Sequence, residues 1–168
     1  MENNLPKRKH PRLKEYDYGA AGAYFVTICT QDKRCVLSRI VGRGLAPAEI
    51  QYTQYGKIAE EQLYLLENRY PGIQIDQHVI MPNHIHMILL IEETTAGASP
   101  RPTVMDVVCT YKSLTTRECK KVEPIEKLFQ TSFYEHVIRG REDYDEIAKY
   151  IQENPAKWQL DKLYREEV

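Results

Sequence analysis

Two histidines two residues apart sit in the most chemically pointed stretch of the chain, residues 81–91, MPNHIHMILLI. In a strand, side chains at i and i+2 point to the same face, so His84 and His86 present two imidazoles side by side. That is half of a divalent-metal site. Pro82-Asn83 makes a tight turn just before the pair, which puts both rings at a strand end near solvent. A second stretch lies far downstream, residues 144–155, YDEIAKYIQENP. It reads as a helix in which Tyr150 and Asn154, four residues apart, share one face with about 5–6 Å between their Cβ atoms. A free phenol has a pKa of about 10 and is a poor nucleophile. A metal that polarises a phosphate and stabilises developing charge supplies the missing help, and the Asn154 amide oxygen is placed to coordinate the same ion. Together the two stretches suggest a metal-assisted tyrosine nucleophile acting on a phosphodiester.

Each of these residues also has a plain structural reading. An H-x-H pair is as often one packed core histidine beside an exposed one. Tyr150 is one of 12 tyrosines, and Tyr111, Tyr134 and Tyr144 are rivals. Asn154, ahead of Pro155, is an ordinary helix N-cap. Mixed nitrogen and oxygen ligands suit Mg, Mn or Zn, and an amide plus water favours Mg2+ or Mn2+. Barrel hydrolases that hold metal through such a pair need roughly 250 residues, against 168 here. Thiolate zinc is unattractive, because Cys29, Cys35, Cys109 and Cys119 show no C-x-x-C spacing and none lies near the pair in sequence.

The elements that must position these groups follow from periodicity and punctuation. Residues 23–30, AYFVTICT, are β-branched and aromatic and read as a strand. Residues 33–50, with Gly42, Gly44 and Pro47, form a loop or an irregular hairpin. An amphipathic helix is expected over 54–69, stopped by Pro71-Gly72. Strands follow at 73–80 and 84–92, the latter apolar on both faces after the histidines, hence central and covered on both sides. The stretch 94–102, TTAGASPRP, reads as a flexible linker or loop. A helix at about 103–121, a short strand at 133–138 and a helix at about 142–154 complete the order. Pro155 disfavours helical geometry at Asn154 and suits the first turn of a last helix over 155–166. The result is α+β: a ferredoxin-like split βαβ, β-α-β-β-α-β, with an antiparallel sheet and additional C-terminal helices. No internal repeat is visible.

Size and composition fit one soluble domain, with 42% hydrophobic and 28% charged residues. We expect a basic arm over 1–20 and a single domain over 21–168. No apolar run reaches the roughly 18 residues that span a membrane. The N-terminus is polar and basic with no apolar stretch of a secretory signal, so the cytoplasm and reduced thiols are expected. A net charge of −1, from 23 basic and 24 acidic residues, does not advertise a nucleic-acid binder. The distribution says more. Lys7, Arg8, Lys9 and Arg12 occur without an acid among them; Lys112, Arg117, Lys120 and Lys121 share one expected helix; Arg139 and Arg141 flank a glycine. Either this is an ordinary mixed surface or it is a basic track that neutralises phosphates.

The chain resembles the REP-associated tyrosine transposases, domesticated relatives of the single-tyrosine HUH transposases of bacterial insertion sequences. The resemblance covers about residues 8–164 and is carried by RLKEYDYGAAGAYFVTICTQ, VIMPNHIHMILL, YKSLTTR and SFYEHVIRGREDYDEIAKYIQENPAKW, in that order. It implies that His84 and His86 are the HUH pair and that Asn154 is the third ligand, in a place where the insertion-sequence relatives often carry Gln. It implies that Tyr150 forms a 5′-phosphotyrosine and frees a 3′-hydroxyl, with single-stranded DNA at the foot of a palindromic hairpin as substrate. His136 matches a family position, with packing its default role. The relatives work as dimers that swap the tyrosine helix or act alone, so a monomer or a homodimer is open. The competing readings are a retired transposase that binds hairpin DNA or RNA without cutting it, and a small metal hydrolase unconnected with nucleic acid.

Overall fold

The computed structural model describes residues 20–42, 47–93 and 101–166. Within them the chain runs β1 (Gly22–Cys29), β2 (Ser38–Val41), β3 (Glu49–Tyr52), α1 (Gln54–Arg69), β4 (Ile73–Ile80), β5 (His84–Ile91), α2 (Val104–Val122), β6 (Tyr134–Ile138) and α3 (Gly140–Glu153). Four strands make one antiparallel sheet in the order β4-β5-β1-β6. Without the β2–β3 hairpin, that is the split βαβ order expected from the sequence. The hairpin pairs Ser38 with Tyr52 and Val41 with Glu49, inside the segment that composition left between loop and hairpin. The N-terminal arm and most of the 94–102 linker lie outside the described residues. No helix among the described residues is long and apolar enough to cross a membrane.

Alternation along β1 and β5 divides the core in two. Tyr24, Val26 and Ile28 of β1, with Ile85, Met87, Leu89 and Ile91 of β5, pack with Leu63 and Leu66 of α1 and Val107, Val108 and Tyr111 of α2. Phe25 and Ile88 face the other way, where Ile151 of α3, Trp158 and Ile40 of the hairpin cover them. β5 is therefore central and covered on both faces, as its unbroken apolar run requires. The cross-strand register sets Thr27 opposite His86 and Cys29 opposite His84, so the two histidines stand on the α3 face.

Local chemistry fixes the helix ends. Thr53 caps α1 through Gly56 N at 3.1 Å, and a Cβ on Gly56 would lie 2.0 Å from the Leu37 carbonyl oxygen, so only glycine lets the helix meet the hairpin here. Thr103 and Asp106 form a capping box at the start of α2. Asp143 at the start of α3 accepts from Arg139 N at 2.8 Å and from His136 Nε2 at 3.0 Å. His136 thus ties β6 to α3 and has more than a packing role.

The last expected helix, 155–166, does not form. Asn154 stays helical, with φ −56° and ψ −42°, despite the usual restriction before proline, and is not an N-cap. The chain then turns through a short 3-10 segment, Trp158–Leu160, and Asp161 ends it. The Asp161 Oδ1 accepts from Leu163 N at 2.7 Å, an Asx-type turn that offers the backbone a non-helical partner. Buried Trp158 anchors this turn against Tyr164 and His84.

Candidate metal and nucleophile site

The α3 face of the sheet carries a buried polar cluster at the start of β5. His84 and His86 are both buried, with ring centroids 4.5 Å apart. His84 Nδ1 is 2.8 Å from Asn83 Oδ1. The orientation of that amide is set by its own nitrogen, which donates to the Leu163 carbonyl at 2.9 Å and the Lys33 carbonyl at 3.3 Å. Its oxygen must therefore face the ring, Nδ1 carries the proton, and Nε2 is left with a bare lone pair. The second ring is held at Nδ1 by Thr27 Oγ1, 2.8 Å away. Such partners behind a ring fix where its other nitrogen points.

Among the described residues the Nε2 atom of His84 has no partner in hydrogen-bond geometry, although the Asn154 amide is near enough to favour its charged form. His84 Nε2 lies 3.8 Å from Asp161 Oδ2. Burial pushes the His84 imidazole down to about 4, although Asp161 pulls the other way; burial, then its neighbour His84, hold His86 well below the ordinary histidine range. Both rings are neutral near pH 7. A bare lone pair and a carboxylate then face each other in a buried space, an arrangement that calls for a cation between them. The amide oxygen of Asn154 is buried and likewise without a hydrogen-bond partner among the described residues, while its nitrogen donates to Asp161 Oδ2 at 2.9 Å. His84, His86 and Asp161 each offer a ligand atom, all within 4.8 Å of one another. This donor set of two imidazoles and a carboxylate, with an amide oxygen beside it, fits a divalent metal ion such as Mg2+, Mn2+ or Zn2+.

Tyr150 reaches the same cluster from α3. Its Oη is 3.4 Å from His86 Nε2 and 3.4 Å from Asp161 Oδ2. Its ring meets Phe25 edge-on at 6.2 Å between centroids. Burial and the Asp161 charge push the phenol up to about 12. The side chain is 39% exposed and opens onto a cavity of about 470 Å3 lined by Phe25, Phe133, Tyr134 and Lys162 among others. The rival Tyr111 is fully buried and donates to the Ala59 carbonyl at 3.0 Å. Tyr144 donates to Asp76, and Tyr134 lines the cavity edge-on to Phe25.

The structure thus brings Tyr150, Asn154, His84 and His86 into one place. Asp161 and Asn83 are what sequence reasoning missed. Asp161 fell within an expected helix, and its only signal is an aspartate seven residues past Asn154. Asn83 was read as a turn residue. The basic residues do not converge as a set. Lys112, Arg117 and Lys120 line a cleft beside α2 together with Lys127. Lys121 pairs with Glu118 and lines the groove between α1 and α2. Arg141 pairs with Asp145 at 2.9 Å and lies over the Tyr144 ring, and Arg139 sits at the start of α3. Lys7, Arg8, Lys9 and Arg12 fall outside the described residues.

The chain matches no protein-family model. It is 32% identical over 172 residues to an uncharacterized protein of Haemophilus influenzae Rd, across 94% of this chain and 93% of the relative. Its fold is that of a REP-associated tyrosine transposase solved bound to a REP hairpin, with TM-score 0.61 and 21% identity over 87% of this chain and 74% of the other. A Deinococcus radiodurans R1 protein provisionally described as a transposase is similar at TM-score 0.51 and 16% identity, over 84% of this chain and 95% of the other.

Proposed function

We propose a function from the premise that this chain belongs to one family with the Haemophilus influenzae protein and has the fold of the REP-associated tyrosine transposases: it is a metal-dependent single-strand DNA endonuclease and strand transferase that acts near hairpins. The observation that carries the reading is the bare Nε2 of His84 facing the Asp161 carboxylate at 3.8 Å, with the Tyr150 phenol 3.4 Å from the neighbouring ring. His84, His86 and Asp161 hold the ion, Mg2+ or Mn2+, and the Asn154 amide oxygen is the further donor. When bound, the metal supplies charge stabilisation at the scissile phosphate and favours ionisation of the nucleophile.

The chain's own residues do the rest. Tyr150 Oη attacks phosphorus, a P–Oη bond forms, and the P–O3′ bond breaks. The product is a 5′-phosphotyrosine, and the departing 3′-oxygen takes a proton to become a hydroxyl. The phenol proton leaves to solvent through the open cavity beside Tyr150, and solvent returns one to the 3′-oxygen. The covalent intermediate keeps one ester bond for another, so rejoining needs no ATP. Neutral, desolvated histidines remain ligands rather than acids near pH 7. Residues 21–168 form the one catalytic domain in this reading, and residues 1–20 an arm whose Lys7, Arg8, Lys9 and Arg12 neutralise phosphates. The substrate class in this reading is hairpin DNA; the transposase of the same fold was solved bound to a REP hairpin.

The test is adduct formation. Wild-type protein, a hairpin oligonucleotide and Mn2+ give a denaturation-resistant protein–DNA band, and Tyr150→Phe gives none. A mutant that still cleaves and still forms the adduct removes Tyr150 as nucleophile. One observation favours the alternative, a hairpin binder that does not cut: the Tyr150 phenol, pushed up to about 12, is far from ionised by itself. Wild-type protein that binds a hairpin with metal yet never yields the adduct decides for that alternative.

A further inference from the structure

Asp161 and Lys162 are neighbours in the C-terminal turn, and the turn sends them to different places. The Asp161 carboxylate reaches inward to the histidines, with Oδ2 3.8 Å from His84 Nε2. Lys162 instead lines the open cavity beside Tyr150. The backbone on both sides of the lysine is tied. Leu163 N donates to Asp161 Oδ1 at 2.7 Å and Tyr164 N to the Asp161 carbonyl at 2.9 Å. Asn83 Nδ2 donates to the Leu163 carbonyl at 2.9 Å. The same Asn83 holds the His84 ring through its oxygen, so the root of the Lys162 side chain is fixed relative to the imidazole pair.

The cavity is where a phosphodiester must enter to meet the exposed edge of Tyr150. Among the described residues that line it, Lys162 alone is charged near pH 7, because His86 is held neutral. Its charge is felt by the residues around it. Burial, the His84 ring and the Lys162 ammonium, in that order, lower His86. Burial raises the Cys29 thiol, and Lys33 and Lys162 act against it. Cys29 and His86 lie on the β1–β5 face that carries the nucleophile site. Lys121, Arg141 and Lys157 are each held by a carboxylate, whereas Lys162 forms no ion pair among the described residues. An ammonium at an acid-free cavity is available to an anionic guest.

The reaction makes a particular demand at this spot. A phosphodiester carries one negative charge. While the P–Oη bond forms and the P–O3′ bond has not yet gone, charge from the phenolate spreads onto the two non-bridging oxygens. Donors aimed at charge that grows in the transition state lower the barrier directly. A lysine ammonium is a compact charge with three donors on a flexible stem, so it can follow those oxygens as phosphorus moves toward Tyr150.

We propose that Lys162 is a further catalytic residue: from the cavity side its ammonium binds a non-bridging oxygen of the phosphate attacked by Tyr150, and it holds the charge that builds there as the phosphoryl group passes from O3′ to Oη. The contact persists in the 5′-phosphotyrosine. The inference rests on the strand-transfer reading for its reaction, but one arm of its test is read without cleavage.

The experiment uses full-length protein, Mn2+ and a hairpin oligonucleotide with single-stranded flanks. In single-turnover adduct formation, K162Q should be slower than wild type by about 10²-fold or more, and K162R should recover much of that rate. Position 162 is exposed, so the melting temperature should stay that of wild type. Mn2+ affinity, read by electron paramagnetic resonance, should also be unchanged; weaker Mn2+ binding in K162Q would mean that the lysine acts through Asp161 and overturns the contact. The second arm measures binding in the Tyr150→Phe background, with one neutral methylphosphonate placed in turn at each linkage near the hairpin foot. K162Q should weaken binding roughly fourfold near physiological salt, the loss of one phosphate contact, and should cost nothing further once one particular linkage is neutral. Penalties that add at every linkage overturn the proposal, as does a hairpin affinity that K162Q leaves unchanged. An adduct formed by K162Q at the wild-type rate sinks the Lys162 assignment alone. A linkage-specific loss, with no adduct from wild type, sinks strand transfer alone and leaves the phosphate contact standing.

Discussion

β5 and α3 bring the two halves of the site together, and they are held in very different ways. Every residue of β5 except Leu90 is buried, and the strand is paired on both edges, to β1 and β4. In α3 only Ile151 is buried. Its place is set by that one side chain, by partly buried Tyr144, Ile147 and Ala148, and by polar ties at its two ends: Asp143 to His136, Tyr144 to Asp76, Asn154 to Asp161. Folding the core therefore fixes where the imidazoles point. Tyr150 rides on a helix with a small apolar seat, and its distance to the histidines is the adjustable quantity. On the proposed mechanism, a group that must attack, remain esterified and then be released suits an element that moves without unfolding the sheet.

The largest expected effect tests this contrast on stability. Ile85→Ala in β5 should cost about 2–5 kcal/mol, the range for truncating a fully buried aliphatic side chain. The same truncation at half-buried Ile147 in α3 should cost well under half as much. Urea unfolding at constant m-value compares the two, and equal losses would mean that α3 is as integral to the core as β5.

The next effect sharpens the contrast by joining the regions. Mn2+ at 100 times its dissociation constant should stabilise the folded chain by about 2.7 kcal/mol. Hydrogen exchange should show the gain in protection at 150–161, which carries Tyr150, Asn154 and Asp161, and little change in β5. Asp161→Asn should remove most of both responses. Protection that appears only in β5 would leave α3 outside the metal centre.

An effect of the same order comes from pH. Burial holds His84 at about 4, against about 6.5 in an unfolded chain, and His86 is lowered too. As pH falls through this window the unfolded chain takes up protons first. Stability of the metal-free protein is therefore complete above about pH 6.5 and declines as pH drops toward 4. Urea titrations in EDTA across that range measure the slope, and His86→Gln should flatten it. A flat profile in wild type would mean that the rings are not buried as neutral bases.

The same contrast accounts for what was legible in the sequence. β5 could be read because its cues are local: an apolar run too uniform for a one-sided strand, and two histidines at strand spacing after a turn. α1 could be read to its observed ends, Gln54 and Arg69, because its pattern is amphipathic and Pro71-Gly72 follows. The C-terminal turn could not. A proline at 155 suits the start of a helix, and nothing in the sequence announces that Trp158 finds a buried seat against His84 or that the Asp161 side chain bonds Leu163 N. Both depend on tertiary partners more than 70 residues away or on one side-chain conformation. Asp161 was hidden for that reason. The β4 bulge between Ile75 and Gln77 was equally silent, since IQIDQHVI gives no glycine or proline at the irregular step.

That bulge supplies the subtlest test of the comparison. The irregular step in β4 falls at Asp76, whose carboxylate accepts the Tyr144 hydroxyl, nearly two turns ahead of Tyr150 on α3. The carboxylate holds the Tyr144 proton, raising the phenol above its usual range. Tyr144→Phe keeps the ring in its seat and removes only this hydrogen bond, at a cost of about 0.5–1.5 kcal/mol. If α3 is separately docked, the cost falls on it alone: its amides should exchange faster in hydrogen-exchange mass spectrometry while those of β5 stay as in wild type. Adduct formation should slow by a few-fold, the loss expected when the nucleophile spends less time against His86. Faster exchange in β5 to the same degree would show that helix and strand open together, and the two-part construction argued from their burial would be wrong.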